Sequence, residues 1–306
     1  MTQLPAPQFQ GPMTLGDIFT ATFDLFKRRF GLLAALGAIP AVVAGVMVGI
    51  FWVAILPKFV GLFTDLFMSW IYTYPTDFSF WTTPTLVASL VHLVALFVVS
   101  LVQFRVQAMI AVAASDLTRG GNPTLGELYP RTQGVLPGAI ILSLIVTAGI
   151  GFGGALPLMM ILLIPPSGSN IFVYILMIFA MSLALSILIF YLLARLWYLI
   201  PVLALEQKSA TETLGRALSL SKNDFWRILG HALLVNVVVS VPVSAVSQFL
   251  SLSESPSYDL DAVGPSAAVV VVTSILLPAW YVLAIPFQTT FQTVMYHDQL
   301  RRNEQP

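Results

Sequence analysis

The 306-residue chain is 58% hydrophobic and only 9% charged, with a mean hydropathy of +0.89 and a formal net charge of zero. Soluble domains carry roughly 25% charged residues, so this composition excludes a soluble globular protein and predicts a polytopic membrane protein. The absence of cysteine excludes disulfides, iron–sulfur clusters and thiolate zinc sites. No polar stretch is long enough for a separate soluble domain, which takes about 50 residues or more.

Residues 1–13 read as a disordered tail. They lack the basic region and small-residue cleavage site of a secretory signal, so the first apolar run is expected to be a retained span. From Thr14 to Phe30 the apolar positions Leu15, Ile18, Phe19, Phe23, Phe26 and Phe30 recur at helical spacing, and Thr14 with Asp17 forms a capping pair. This amphipathic helix is expected in the inner headgroup layer, apolar face toward lipid. Six runs of spanning length come after it, at 31–56, 86–104, 134–164, 171–194, 228–250 and 267–290. The loop 57–83 carries a helical stripe of Phe59, Leu62, Phe63, Leu66, Phe67 and Trp70, read as an outer interfacial helix or, alternatively, a lid. The loop 251–265 is acidic, turn-rich and expected to be exposed.

Three echoes divide the chain. Thr14-Leu15-Gly16, Thr124-Leu125-Gly126 and Thr213-Leu214-Gly215 each open an amphipathic stretch followed by two apolar runs. The first and third stay in register through Phe26/Phe225, Arg28/Arg227 and Gly31/Gly230, six identities over 18 positions at an offset of 199. Thr124 with Glu127 repeats the capping pair. In the third copy Arg216 replaces the acid, so Ser209 with Glu212 is the better cap. The second copy is the shortest, broken by Pro130 and Gly134. Arg105 precedes Asp116 by 11 residues and Arg195 precedes Glu206 by 11, while Asp298 is preceded at that spacing by Phe287. The predicted fold is therefore all-α: one six-span bundle over 14–300, built from three repeats of an interfacial helix plus two spans (about 14–120, 121–208 and 209–300), with a tail at 301–306.

Thirteen of the 14 basic residues fall on one side of this topology, with only Lys58 opposite. The other side carries Asp65, Asp77, Glu254, Asp259 and Asp261. The bias of basic residues toward the cytoplasm places both termini there.

The stretches around 14–31, 116–129 and 201–230 carry a resemblance. Leu15-Gly16-Asp17-Ile18-Phe19 with Phe26-Lys27-Arg28-Arg29-Phe30-Gly31 resembles the glycerophosphoryl diester phosphodiesterase membrane-domain family. So do Asp116-Leu117-Thr118-Arg119-Gly120-Gly121-Asn122-Pro123-Thr124 and the stretch from Pro201-Val202-Leu203-Ala204-Leu205-Glu206 to Asp224-Phe225-Trp226-Arg227-Ile228-Leu229-Gly230. The resemblance implies a multi-span bacterial inner-membrane protein linked to lipid or envelope metabolism. It covers the membrane part only and implies no phosphodiesterase activity.

Candidate chemistry is sparse. The histidines His92, His231 and His297 lie apart from one another in sequence, and there is no metal-ligand spacing, phosphate loop or nucleophile–base pair, so neither enzymatic activity nor a metal or other cofactor is expected. Arg105 and Arg195 end the second and fourth spans. If the apolar runs 106–114 and 196–205 stay in the bilayer, both guanidiniums are intramembrane and suited to a lipid phosphate. Alternatively they snorkel to the headgroups while the helices run on. Asn236, Ser240, Ser244 and Gln248 form a stripe at four-residue spacing, read either as a polar pathway or as interhelical hydrogen-bonding groups. Gly37, Ala41, Gly45 and Gly49 form a small-residue face for close helix packing.

The functional expectation is a non-enzymatic membrane protein that binds or moves a lipid or other amphipathic envelope component. The alternative is a scaffold or partner subunit, accessory to a separate phosphodiesterase. Expected partners are membrane lipids, anionic on the cytoplasmic face, and a second protein or a second copy of the chain, but not nucleic acid.

Overall fold

A computed structural model describes residues 12–50, 83–163, 171–253 and 272–304, and every regular element among them is helical. The helices are α1 (Leu15–Arg28), α2 (Phe30–Ile50), α3 (Thr83–Thr118), α4 (Leu125–Arg131), α5 (Leu136–Leu163), α6 (Ile171–Arg195), α7 (Leu199–Leu205), α8 (Ala210–Leu220), α9 (Phe225–Ser253) and α10 (Leu277–Glu304). A single 3-10 turn, Gln133–Val135, joins α4 to α5, and a π-helical turn, Val272–Leu276, leads into α10. The aromatic stripe at 59–70 and the acidic residues expected on the outer side lie outside the described residues, as does Lys58.

Among the described residues, five helical stretches are long and apolar enough to cross a membrane: Phe30–Met47, Leu90–Thr118, Phe179–Leu205, Phe225–Pro242 and Ser274–Asn303. A sixth is the pair Leu125–Arg131 and Gln133–Gly149, bent by 42°. The bend falls where Pro130 interrupts the second amphipathic stretch, as proline in a helix removes a backbone donor. The protein is an integral, multi-pass membrane protein.

The bundle has two sections with different packing. In one, the helices expose apolar side chains: Leu90, Val94 and Val98 on α3, Leu183 and Ile187 on α6, Val237 and Val241 on α9. In water this surface would be strongly unfavourable, and in lipid it is neutral. In the other section the same helices close on each other. Apart from Gln107, residues 106–115 of α3 are buried, as are Leu199 to Ala204 of α7 and Ala284 to Phe287 of α10. At 36 residues, α3 is about 54 Å long against a hydrocarbon core of about 30 Å. Its closing turns therefore stand in the closed section, outside the lipid-facing one.

Three capped helices wrap the closed section. The Thr14 N–H donates to Asp17 Oδ2 at 2.8 Å and the Ser209 N–H to Glu212 Oε2 at 3.2 Å, each in a reciprocal capping box. Thr14 and Ser209 hold those carboxyls below the usual range through their side-chain and backbone hydrogen bonds. The Thr124 N–H donates to Glu127 Oε2 at 3.3 Å. Thr213 lies inside α8 and is buried.

The apolar face of α1 does not lie toward lipid as its periodicity suggests. Ile18, Ala21, Thr22 and Leu25 are buried against the protein. Phe19 stacks on Phe291 of α10 at 4.9 Å and Phe23 on Phe287 at 4.9 Å. An amphipathic period identifies a face, and here α10 outcompetes lipid for it. Leu15, Phe23 and Phe30 remain exposed at the edge.

The small-residue face of α2 packs within the chain. A Cβ added at Gly37 would lie 2.2 Å from the Val282 carbonyl oxygen and 2.6 Å from Pro286 Cγ; one at Gly45 would lie 2.9 Å from Pro278 Cγ. The two proline rings of α10 thus seat in gaps that only glycine leaves. Gly37→Ala is expected to destabilise the protein by about 3 kcal/mol, because the obstructing atom is backbone. Gly31→Ala, with nothing within 4 Å, is expected to leave the melting temperature unchanged or slightly raised. Thermal unfolding of both variants in detergent checks the pair.

Candidate functional site

The two arginines singled out by sequence stand where the exposed section of the bundle gives way to the closed one, but their surroundings differ. The Arg105 guanidinium donates to the carbonyls of Thr132 and, at 3.1 Å, Tyr129, and it lies 5.1 Å from the centroid of the Tyr129 ring. It thereby satisfies the orphan carbonyls at the C-terminal end of α4, where a cation also complements the helix dipole. Gln207, the one non-glycine residue with positive φ (50°) among the described residues, donates from Nε2 to the Arg131 carbonyl at 2.9 Å. The end of α4 is thus held from two sides.

Arg195 ends α6 just before a break. Residues 196–198 form a turn, and the short helix α7 resumes inside the core. The Arg195 guanidinium lies 6.0 Å from the Tyr191 ring centroid, and its Nε is buried with no hydrogen-bond partner among the described residues. Ser221 Oγ donates to the Arg195 carbonyl at 3.0 Å, which fixes the α8–α9 turn against the break. Phe225 lies 5.8 Å from Tyr191, and neighbouring Trp226 is 79% exposed. This exposed aromatic rim beside a cation is the pattern of a membrane–water interface.

The residues 11 positions after these arginines are ion-paired. Asp116 pairs with Arg131, including Nη2 to Oδ1 at 3.1 Å. Glu206 pairs with Lys208 at 2.6 Å and Arg216 at 3.2 Å, and accepts from the Tyr296 hydroxyl at 2.8 Å. Asp298, fully buried, pairs with Arg227 and with Arg302 at 2.8 Å, and accepts from the Met13 N–H at 2.8 Å. The Met13–Asp298 bond places both ends of the described chain on one side of the bundle.

Of the polar stripe, Asn236 is half-buried and donates to the Ala232 carbonyl of its own helix at 2.7 Å, whereas Ser240, Ser244 and Gln248 are exposed. Trp280 Nε1 of α10 donates to the Val239 carbonyl of α9 at 2.8 Å. Among the described residues, no three histidines, cysteines or acids are grouped to hold a metal ion. The sequence pattern does not single out Trp197, Tyr198 and His231, whose Nε1, hydroxyl and Nε2 are buried without a hydrogen-bond partner among the described residues. The available signal is the pair of aromatic residues bearing N–H and O–H groups just beyond Arg195.

Residues 169–306 match a known family, the membrane domain of glycerophosphoryl diester phosphodiesterase. The match takes in α6 to α10 and so includes Arg195, the stripe and Asp298, but not Arg105. No curated protein and no solved structure matches the chain. The family's name describes a membrane domain, in agreement with the bundle.

The ion-paired acids differ in how much they are expected to contribute. Asp298→Asn leaves Arg227 without its buried partner and is expected to cost about 3–5 kcal/mol. Asp116→Asn breaks a pair whose arginine side chain is 50% exposed and should cost under about 1 kcal/mol; chemical unfolding of both compares them. Burial alone would raise the Glu206 carboxyl, but the hydrogen bonds from Lys208, Tyr296 and Arg216 outweigh it and hold the carboxyl below the usual glutamate range. A lowered carboxyl stabilises the fold above its ordinary value, and this contribution is lost as pH falls through the lowered one. Melting curves from neutral to acid pH are expected to show a steeper acid limb in the wild type than in Glu206→Gln.

Proposed function

We infer that the protein binds or moves a lipid or other amphipathic envelope component in the bacterial inner membrane, without catalysing a reaction on it. On this reading both termini and the closed section lie on the cytoplasmic side, which the one-sided bias of the basic residues supports. The observation that carries the reading is the collar of cations where the two packing sections meet. Arg131, Lys208, Arg216, Arg227 and Arg302 are engaged by carboxylates. Arg105 and Arg195, at the level where apolar exposure ends, have no carboxylate partner among the described residues. Arg105 is committed to the carbonyls of α4, so Arg195 is the guanidinium left to meet an anionic headgroup, whose phosphate matches its fork. The surrounding aromatics and the exposed Lys222 suit the same layer.

Mass spectrometry of protein extracted with its native lipid tests this reading. One anionic lipid enriched well above its membrane share, and lost in Arg195→Gln, is the expected result. Bulk lipid in proportion to the membrane, together with a stoichiometric second protein, would overturn it in favour of a scaffold or a subunit accessory to a separate phosphodiesterase.

A further inference from the structure

The edge that α1 leaves uncovered adjoins the lipid-facing side of α2. On α2 the residues Gly31, Ala35, Ile39, Val42 and Val46 are exposed, while Leu33, Leu36, Ala41 and Gly45 are buried on the opposite side. A candidate span opens at Phe30, so the exposed row is the face this helix turns to lipid. Phe30, next to Gly31, is 50% exposed. From it the rings run on in contact toward α1. Phe30 lies 5.5 Å from Phe26, Phe26 lies 6.1 Å from Phe287, and Phe287 lies 4.9 Å from Phe23, itself 47% exposed. Lys27 stands one turn after Phe23 on the same edge of α1 and is exposed.

The acids of α1 are elsewhere. Asp17 and Asp24 occupy a separate exposed row, about 100° round the helix from Phe23, and Asp17 is engaged by the N-cap. Neither Lys27 nor Arg29, at the turn into α2, has a carboxylate within ion-pair distance among the described residues. The exposed surface of α1 is thus divided, with phenylalanines and a lysine on one side and carboxylates on the other. Aromatic rings settle at the membrane–water boundary, and a lysine carries its ammonium out to the headgroups. Anionic lipid attracts that ammonium and repels a carboxylate. An acidic soluble partner would match the lysine but leave both phenylalanines in water.

We propose that the edge formed by Phe23, Lys27 and Phe30 is a docking surface for anionic phospholipid of the adjoining leaflet, the lysine drawing the headgroups and the rings seated at the acyl boundary. One helix then has two partners. Ile18, Ala21 and Leu25 hold it to protein, and the edge beside them meets lipid. This surface lies outside residues 169–306, the part that matches the family. It is also separate from Arg195, so it holds or fails independently of the lipid-handling reading.

The chain has no cysteine, so Phe23→Cys, Phe30→Cys and Asp24→Cys each place a single fluorophore on the full chain. The labelled chains are reconstituted into phosphatidylcholine vesicles with and without phosphatidylglycerol. Either lipid, carrying a nitroxide at the top of an acyl chain, then reports by quenching which one lies against the label. Labels at Phe23 and Phe30 are expected to be quenched, phosphatidylglycerol acting at about one-fifth the fraction that phosphatidylcholine needs, as for one lysine near a charged surface. Lys27→Gln, or about 1 M salt with its Debye length of about 3 Å, is expected to abolish the preference, and Lys27→Arg to keep it. The Asp24 label is expected to stay in water, and Arg195→Gln to leave every signal unchanged. Phe30→Cys carries the test alone if losing the Phe23 ring loosens its stack on Phe287. Equal quenching by the two lipids, or a preference that survives Lys27→Gln, overturns the proposal. So does an Asp24 label quenched as strongly as the others, or no quenching at Phe23 and Phe30.

Discussion

One buried carboxylate constrains more of this molecule than any other group. Asp298 is fully buried, and a carboxylate removed from water is tolerated only where charges and donors replace its hydration. Its replacements come from three directions: Arg227 from the start of α9, Arg302 from the next turn of α10, and the Met13 N–H just ahead of α1. The neighbouring Gln299 extends the network. It accepts from Arg227 at 3.1 Å and donates to Asp224 at 2.7 Å and to the Leu220 carbonyl at 3.3 Å. The end of α8, the start of α9, the end of α10 and the entry to α1 therefore cannot shift independently. The Phe19, Phe23, Phe287 and Phe291 stack is laid down on this frame.

The same constraint explains why the closed section is closed. A helix in lipid gains nothing by hiding a leucine, so the exposed apolar rows of α3, α6 and α9 carry no driving force to pack. Past Arg105 and Arg195 the continuing apolar turns are buried against one another rather than left exposed. The closing turns of α3, the short helix α7 and the second half of α10 are mutually packed. Each is followed by an acid held by a basic residue. The arginine 11 residues before the acid in α3 and α6 is replaced by Phe287 in α10.

Much of the local structure was legible because it depends on local rules. The spans follow from runs of apolar residues, and the starts of α1, α4 and α8 from a threonine or serine three positions ahead of an acid. The glycine face of α2 announced a close approach, but not that Pro278 and Pro286 would fill it. Information of longer range was missing from the pattern. The face of α1 has the same periodicity whether it meets lipid or α10. The use of Arg105 was equally hidden, since the carbonyls it binds lie 24 and 27 residues away, at the end of a helix shortened by Pro130. The loop 57–83 and the acidic loop 251–265 fall almost wholly outside the described residues, so their expected roles stand as they were.

Arg105 and Arg195 then separate a structural use of a cation from an available one. Both end an apolar run, both precede a buried one, and both stand 11 residues before an acid, so sequence alone treats them as equals. The difference comes from the next turn of chain in each case. After α3 the chain returns as a helix of seven residues whose end needs capping, and Arg105 caps it. After α6 the chain breaks and re-enters the core as α7, and the next amphipathic helix, α8, ends on its own backbone bonds from Ser221. Arg195 makes no such contact among the described residues, and at the break Trp197 and Tyr198 are buried in the core. Both helix ends carry backbone bonds from their C-cap residues, Thr132 for α4 and Ser221 for α8, so what divides the two arginines is where each guanidinium lies: Arg105 on the carbonyls of Thr132 and Tyr129, Arg195 beside the Tyr191 ring of its own helix.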